Sequence, residues 1–306
     1  MSATMRAVVL ALYRIRGLLF AAAAAVLLVN VIVLQFTLPR SASRSWAIIV
    51  GAAILAMILS MVLSSLVPKR IPEALRSPST VVRSPVAGRW FALNSPATQV
   101  PSHGTRAFGQ AYAIDLIHEP AGSTPPPFGE TAMRAPDEYS TFGQPVYAMI
   151  NGTVVRASDW RRDHRARSNT LAFWYLTIEG MLRQLGGTGL VVGNHVTIRG
   201  ADGAYAAVAH LKQGSVEVSV GDRVTAGMTI GACGNSGNSS EPHVHAQLMD
   251  RASFWTAQGV PMEFAGVTLE GQASGENGAG AADRLATELP DSALPGTGQY
   301  MVAAPG

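Results

Sequence analysis

The sequence predicts a mainly β, antiparallel domain standing behind two transmembrane helices, and three observations carry that expectation. Apolar residues make up 48% of the 306 residues against 14% charged, and the excess is gathered into two charge-free runs near the start. Beyond residue 86, short β-type runs alternate with Gly, Asn and Asp turns, with few helix-length patterns between them. Within one of those runs His243 and His245 stand two apart, so on a strand both imidazoles project from the same face.

Taken in order, residues 1–16 form an N-terminal segment with Arg6, Arg14 and Arg16. Residues 17–67 read as a transmembrane hairpin, with spans at 17–36 and 46–67. Each run is long enough to cross a hydrocarbon core about 30 Å thick at about 1.5 Å per residue. A second span so soon after the first argues against a cleaved signal peptide. Trp46 belongs at an interface and Asn30 against the partner helix. Arg6, Arg14 and Arg16 before the hairpin and Lys69, Arg70, Arg76 and Arg83 after it outnumber Arg40 and Arg44 in the loop. On the positive-inside rule both ends then lie in the cytoplasm.

Residues 68–85, rich in Pro and Ser, read as a juxtamembrane linker. The domain at 86–270 opens with a strand near 86–93 and continues with runs at 145–150, 152–157, 189–199, 205–210, 215–220 and 229–232. Asn151-Gly152 and Asp202-Gly203 are hairpin-turn dipeptides. Two insertions interrupt the pattern. Residues 119–143 are a long Pro/Gly loop, and residues 159–185 contain an amphipathic helix over 168–185. Its Phe173, Trp174 and Tyr175 pack the helix onto the sheet or, alternatively, line a substrate groove. Residues 271–306, poor in large apolar side chains, read as a disordered tail.

The one cysteine, Cys233, has no partner for a disulfide and reads as a small residue, since zinc sites built on cysteine generally use several. A net charge of only +3, with no basic stripe, excludes nucleic acid as a partner. Asp115 lies in the apolar run AYAIDL, where an unpaired carboxylate is expensive to bury and calls for a cation.

The stretch GNSGNSSEPHVH, Gly234 to His245, resembles the terminal motif of the LytM/lysostaphin-type zinc metallopeptidases, of the form G-x-(S/T)-G-x-S-x-x-P-H-x-H. Three further blocks fall in the family's order, at 111–116, 145–155 and 194–234. The resemblance implies an antiparallel β-sheet, sandwich-like metallopeptidase domain preceded by the two transmembrane helices. It implies Zn2+ as cofactor, no organic cofactor, and hydrolysis of peptidoglycan peptides, with membrane lipid the other partner. That places the domain outside the cytoplasm, against the charge pattern.

It also implies Asp115 and His245 as metal ligands and His210 and His243 as the catalytic histidines. The family's first ligand lies four residues before the aspartate, where this chain has Ala111. Glycines at 104 and 109 allow the chain to loop back and deliver His103 instead, completing a triad of His103, Asp115 and His245. His118, three residues beyond Asp115, points to the opposite strand face. His195 is expected to be structural and His164 solvent-exposed. Two other readings are a catalytically inactive domain of this fold that binds wall peptides or regulates another hydrolase, and a biotinyl- or lipoyl-like carrier suggested by residues 218–231. The carrier needs a hairpin lysine, and none follows Lys212.

Overall fold

The structure, a computed structural model, describes residues 2–36, 43–70, 79–270 and 292–304. Two long helices come first, α1 (Ala3–Phe36) and α2 (Ser43–Arg70). Both are long and apolar enough to cross a membrane. The helix expected from residue 17 begins at Ala3, because no Gly or Pro interrupts the segment before it. The start of α1 lies against the end of α2, where Tyr13, Leu63 and Val67 pack together. The loop between the spans, 37–42, lies outside the described residues.

The strands follow as β1 (Thr80–Arg83), β2 (Gly88–Asn94), β3 (Ile114–His118), β4 (Met133–Arg134), β5 (Pro145–Tyr147), β6 (Gly152–Ser158) and β7 (Ala166–Arg167). After helices α3 (Thr170–Leu185) and α4 (Thr188–Val192) come β8 (Asn194–Arg199), β9 (Tyr205–Leu211), β10 (Arg223–Val224), β11 (Thr229–Ala232) and β12 (Val244–Met249). The last are β13 (Gly259–Val260), β14 (Met262–Ala265), β15 (Val267–Glu270), β16 (Ser292–Ala293) and β17 (Tyr300–Ala303).

The main sheet runs β10-β6-β8-β9-β12-β3-β2-β17-β15, with β13 paired to β12. Its pairings are antiparallel. Smaller sheets, β1-β14-β16 and β11-β5, face it. Val82, Val146, Ile230 and Phe264 of the small sheets meet Trp90, Leu116, Val208 and Leu248 of the large one in a single core. Fully burying a side chain of this kind contributes roughly 1.5–3 kcal/mol. The sandwich-like antiparallel architecture is therefore as expected, except that β1 runs parallel to β14.

Alternation sets which face each strand turns to that core. Along β12, Val244, Ala246 and Leu248 enter it, so His245 and Gln247 take the opposite face. Asp115 does the same between Ile114 and Leu116 of β3. Its cross-strand partner is His245. The sheet thus turns its main core to one side, and on the other it carries the polar residues beside a smaller apolar cluster that includes Ala207, Ala209 and Met249.

Several expectations are corrected. The presumed linker ends in β1, because Val82 reaches the core; residues 71–78 of it lie outside the described residues. Residues 189–199 split into α4 and β8. Residues 215–220 form no strand, since the backbone N–H groups of Ser215 and Val216 donate to Asp159 Oδ1 and that of Ser219 to Asp222 Oδ2. Asp202-Gly203 closes the β8–β9 hairpin, but Asn151-Gly152 does not pair β5 with β6, whose neighbours are β11 for the one and β8 and β10 for the other. The expected tail supplies β16 and β17, and β17 enters the main sheet because Met301 fills the core. Residues 271–291 and 305–306 lie outside the described residues.

The helix of the second insertion forms as α3, capped by the Asn169 side chain, which accepts from Ala172 N at 2.9 Å. Its buried side is Ala172, Leu176 and Gly180. The aromatic trio does not pack it onto the sheet, because Phe173, Trp174 and Tyr175 are all exposed; helical spacing turns Trp174 directly away from those three residues, while Phe173 lines a cleft with Tyr139 and Glu241.

Candidate metal centre

The polar face of the sheet brings His103, Asp115, His210, His243 and His245 into one cluster. Asp115 is its hub. The Oδ1 atom lies 2.8 Å from His245 Nδ1. The Oδ2 atom lies 2.7 Å from His103 Nε2 and accepts from Asn94 Nδ2 at 2.8 Å. The ligand atoms of His103, Asp115 and His245 all lie within 4.8 Å of one another, and those of His210, His243 and His245 form a second such group.

His103 reaches this place by the route its sequence position requires. Ala111 is buried and offers no side-chain donor, but its carbonyl accepts from Ser102 N at 3.1 Å. The loop that carries His103 is thereby pinned beside Asp115. Gly109 helps the turn, with φ 73°, a conformation costly for other residues.

His210 is placed by a distortion. Regular alternation along β9, with Ala206 and Val208 in the core, would aim His210 inward as well. An irregularity in the β8–β9 register lies between Asn194 and Val196, and His210 takes φ 61°. Bulges of this kind re-aim a side chain. His210 is turned to the polar face while Leu211 returns to the core. Left-handed backbone at a histidine is strained by about 1–3 kcal/mol. It is held by Gly234 N donating to His210 O at 3.0 Å and by His210 Nδ1 donating to Ser236 O at 2.8 Å.

The turn from Gly234 to Pro242 makes that support possible. Ser236 Oγ donates to Leu211 O at 2.7 Å and accepts from Asn194 N at 3.0 Å. Gly237, at φ 78°, lies so close that a Cβ there would sit 2.5 Å from Gly193 N. The small residues of the motif are thus a matter of space as well as of turning.

Hydrogen bonds fix where the lone pairs point. Gln247 Nε2 donates to Phe108 O at 3.0 Å, which leaves its Oε1 facing His245 Nε2 at 2.9 Å. His245 therefore keeps a proton on Nε2, and its Nδ1, facing the Asp115 carboxylate, holds either a second proton or a cation. Two acceptors set 2.8 Å apart are stable only with a cation or an added proton between them. In the same way His210 and His243 donate from Nδ1 to backbone carbonyls, of Ser236 and of Glu241 at 2.8 Å each. Their Nε2 atoms are left as bases facing the cluster, that of His243 3.6 Å from Asp115 Oδ1.

Electrostatics follow the same lines. Burial alone would raise Asp115, but the charges of His243 and His103 and hydrogen bonds from His103 and His245 hold it well below the usual carboxylate range. Burial lowers His245, and Asp115 outweighs it, so that its pKa is raised. Burial, reinforced by His243 and His245, pushes His210 well below an ordinary imidazole. His243 is lowered chiefly by burial.

The other histidines lie elsewhere. His118 packs against Trp90 in a tilted arrangement, ring centroids 5.1 Å apart, with Nδ1 donating to Ser140 O at 3.3 Å. His195 is buried against Phe254, with Nδ1 donating to Gly193 O at 2.8 Å. His164 is not the solvent-exposed residue expected: its Nε2 donates to Gly237 O at 2.8 Å, and the ring braces the small-residue turn. Cys233 is a free, buried thiol, pushed well up by burial. Asn94, Ser236 and Gln247 were not singled out from the sequence. Gln247 continues the alternation of 243 and 245, and that signal would have found it.

Residues 175–258 match the model of peptidase family M23. No curated protein matches the chain. Among solved structures, the catalytic domain of the antimicrobial peptidase lysostaphin from Staphylococcus simulans is 21% identical over 56% of this chain and 88% of its own, with a TM-score of 0.30. A prophage-encoded M23 protein from Enterococcus faecalis is 23% identical over 47% and 86%, at 0.27. A zinc-containing peptidase from Vibrio cholerae is 17% identical over 58% and 36%, at 0.28. Likenesses of this size carry nothing about the reaction.

Proposed function

We propose that this chain is a membrane-anchored zinc metalloendopeptidase that hydrolyses peptide bonds of peptidoglycan, anchored by α1 and α2 with its domain outside the cytoplasm. One observation supports the reading above the others: with Nε2 given to Gln247, His245 turns Nδ1 onto a carboxylate that His103 also meets, and the three ligand atoms lie within 4.8 Å of one another, which is the donor set of a cation site. His103, Asp115 and His245 would hold zinc, two nitrogens and an oxygen being ordinary ligands for it. What zinc supplies when bound is Lewis acidity, which acidifies water and polarises a carbonyl.

The chain's own residues do the rest. His210 and His243, neutral near pH 7 because burial holds them down, present Nε2 to the same space. One takes a proton from the attacking water and, charged by it, stabilises the developing oxyanion before passing the proton to the leaving amine, while the other orients the reacting groups. Asn94 and Gln247 keep Asp115 and His245 in place, the role of groups behind metal ligands generally.

The purified full chain, expressed with zinc, is expected to hold one zinc by elemental analysis, and His245→Ala to lose it. His210→Ala is expected to keep zinc and lose hydrolysis of isolated peptidoglycan. A wild-type chain without zinc would overturn the enzyme reading. Ala111, standing where the family has a histidine, favours a second reading, a domain that binds wall peptides without cutting them. Zinc retained with no turnover in the wild type would select it.

A further inference from the structure

The outer face of α3 is apolar and open. Leu171, Trp174, Tyr175, Ile178, Met181 and Leu182 recur at helical spacing, and each is at least half exposed, Trp174 at 64% and Ile178 at 60%. At 3.6 residues per turn they form one stripe about 120° wide. The helix's charges keep off it: Glu179 pairs with Arg167 and Arg183, each at 2.7–2.9 Å, on the flank toward the domain. An exposed apolar stripe of this length on a folded domain marks a contact surface.

Its surroundings say what the contact is. The end of α3 opens onto a crevice of about 1080 Å³ whose opposite walls are α1 and α2. Met181, Leu182 and Leu185 face Phe20, Ala21 and Ala24 across it. Those α1 residues lie three to seven positions past Gly17, where the charge-free span starts, hence roughly 5–10 Å inside it along the helix. This is the depth at which interfacial amphipathic helices settle, between headgroups and acyl chains.

The domain is fastened to the hairpin at the same level. Arg14 pairs with Asp250 at 2.7 Å, and Arg16 Nη2 donates to Arg106 O at 3.0 Å. A Cβ added at Gly17 would lie only 3.5 Å from the Trp255 ring. The stripe is therefore continuous with the lipid-facing surface of the hairpin, and its Trp and Tyr are the side chains enriched at membrane interfaces.

We propose that α3 lies in the lipid interface beside α1 and α2, seating the candidate metal centre against the membrane surface. This rests on the reading of α1 and α2 as membrane-spanning. The occupant of the stripe is lipid, since no charged residue of the helix interrupts it, the nearby Arg167 being paired with Glu179 at its edge, and its end is level with the spans. Phe173, on the other side of the helix, lines a cleft with Tyr139, Ser168 and Glu241, so the helix lies between that cleft and the bilayer.

The test uses the full chain in vesicles of phosphatidylethanolamine and phosphatidylglycerol. Single cysteines replace Trp174, Ile178 or Leu182 on the stripe, Val220 on an exposed loop, and Val29 within the first span. Each carries a nitroxide, read for collision with oxygen against a water-soluble nickel complex; Cys233 is buried and stays unlabelled. The oxygen-to-nickel ratio is expected to be several-fold higher at 174, 178 and 182 than at 220, and highest at 29. A water-like ratio at 178 with a lipid-like ratio at 29 would overturn the α3 proposal and leave the anchor standing. Shielding of 178 from both reagents would overturn it in favour of a second copy or another protein on the stripe. Water-like ratios at both 29 and 178 would overturn the anchor and this proposal together.

Discussion

Where β3, β9 and β12 meet, polar ring atoms are largely buried, whereas α3 holds large apolar side chains in the open. The two regions lie on one domain and depart from ordinary burial in opposite senses. In the first, each departure has a compensating partner: Ser236 O for His210, Gln247 for His245, Asn94 for Asp115. In the second, the stripe from Leu171 to Leu182 stays at least half exposed along its length. A buried polar group without its bond costs roughly 1–3 kcal/mol, so such a cluster is kept together only where every member is tied. An exposed stripe carries no such penalty in a lipid surface, where water is replaced by hydrocarbon.

The comparison can be broken first at Gln247. Gln247→Ala removes the acceptor that fixes the His245 tautomer, and zinc affinity is expected to fall about 10–100-fold while the fold survives. Titration of the purified chain against a competing chelator reads this, and an unchanged affinity would show that Gln247 does not orient the ligand. The smallest effect is expected on α3. Ile178→Gln in detergent micelles is expected to change domain stability by less than about 0.5 kcal/mol, as exposed substitutions do. A core position would lose 2 kcal/mol or more; a Tm lowered by that amount would mean that the stripe is packed against protein.

Much of this was legible in the sequence for reasons that are local. His243 and His245 share a face because strand side chains alternate, and the hairpin at Asp202-Gly203 follows from its turn residues. The apolar lengths of α1 and α2 were plain as well. What was not legible depends on distant partners. The pairing of Tyr300 with Phe91 joins residues far apart in sequence, so a Gly/Ala/Pro-rich tail gave no sign of β17. Residues 215–220 alternate like a strand but have their N–H groups taken by Asp159 and Asp222. Phe173, Trp174 and Tyr175 looked like core because aromatic residues usually are; only the position of α3 beside the hairpin shows otherwise. At the site, His103 was reachable by reasoning from the gap at Ala111, whereas the left-handed turn at His210 is a product of register that no spacing reveals.

Our proposal has His103, Asp115 and His245 together holding a metal although Ala111 stands where the resemblance implies a ligand. The most direct measurement is the zinc affinity of the full chain with His103→Ala beside His118→Ala. Loss of a ligand is expected to weaken binding by more than about 100-fold, beyond what losing a supporting group does, while His118→Ala stays within about twofold of the unaltered chain. Weakening by His118→Ala instead, or no change from either, would contradict the account.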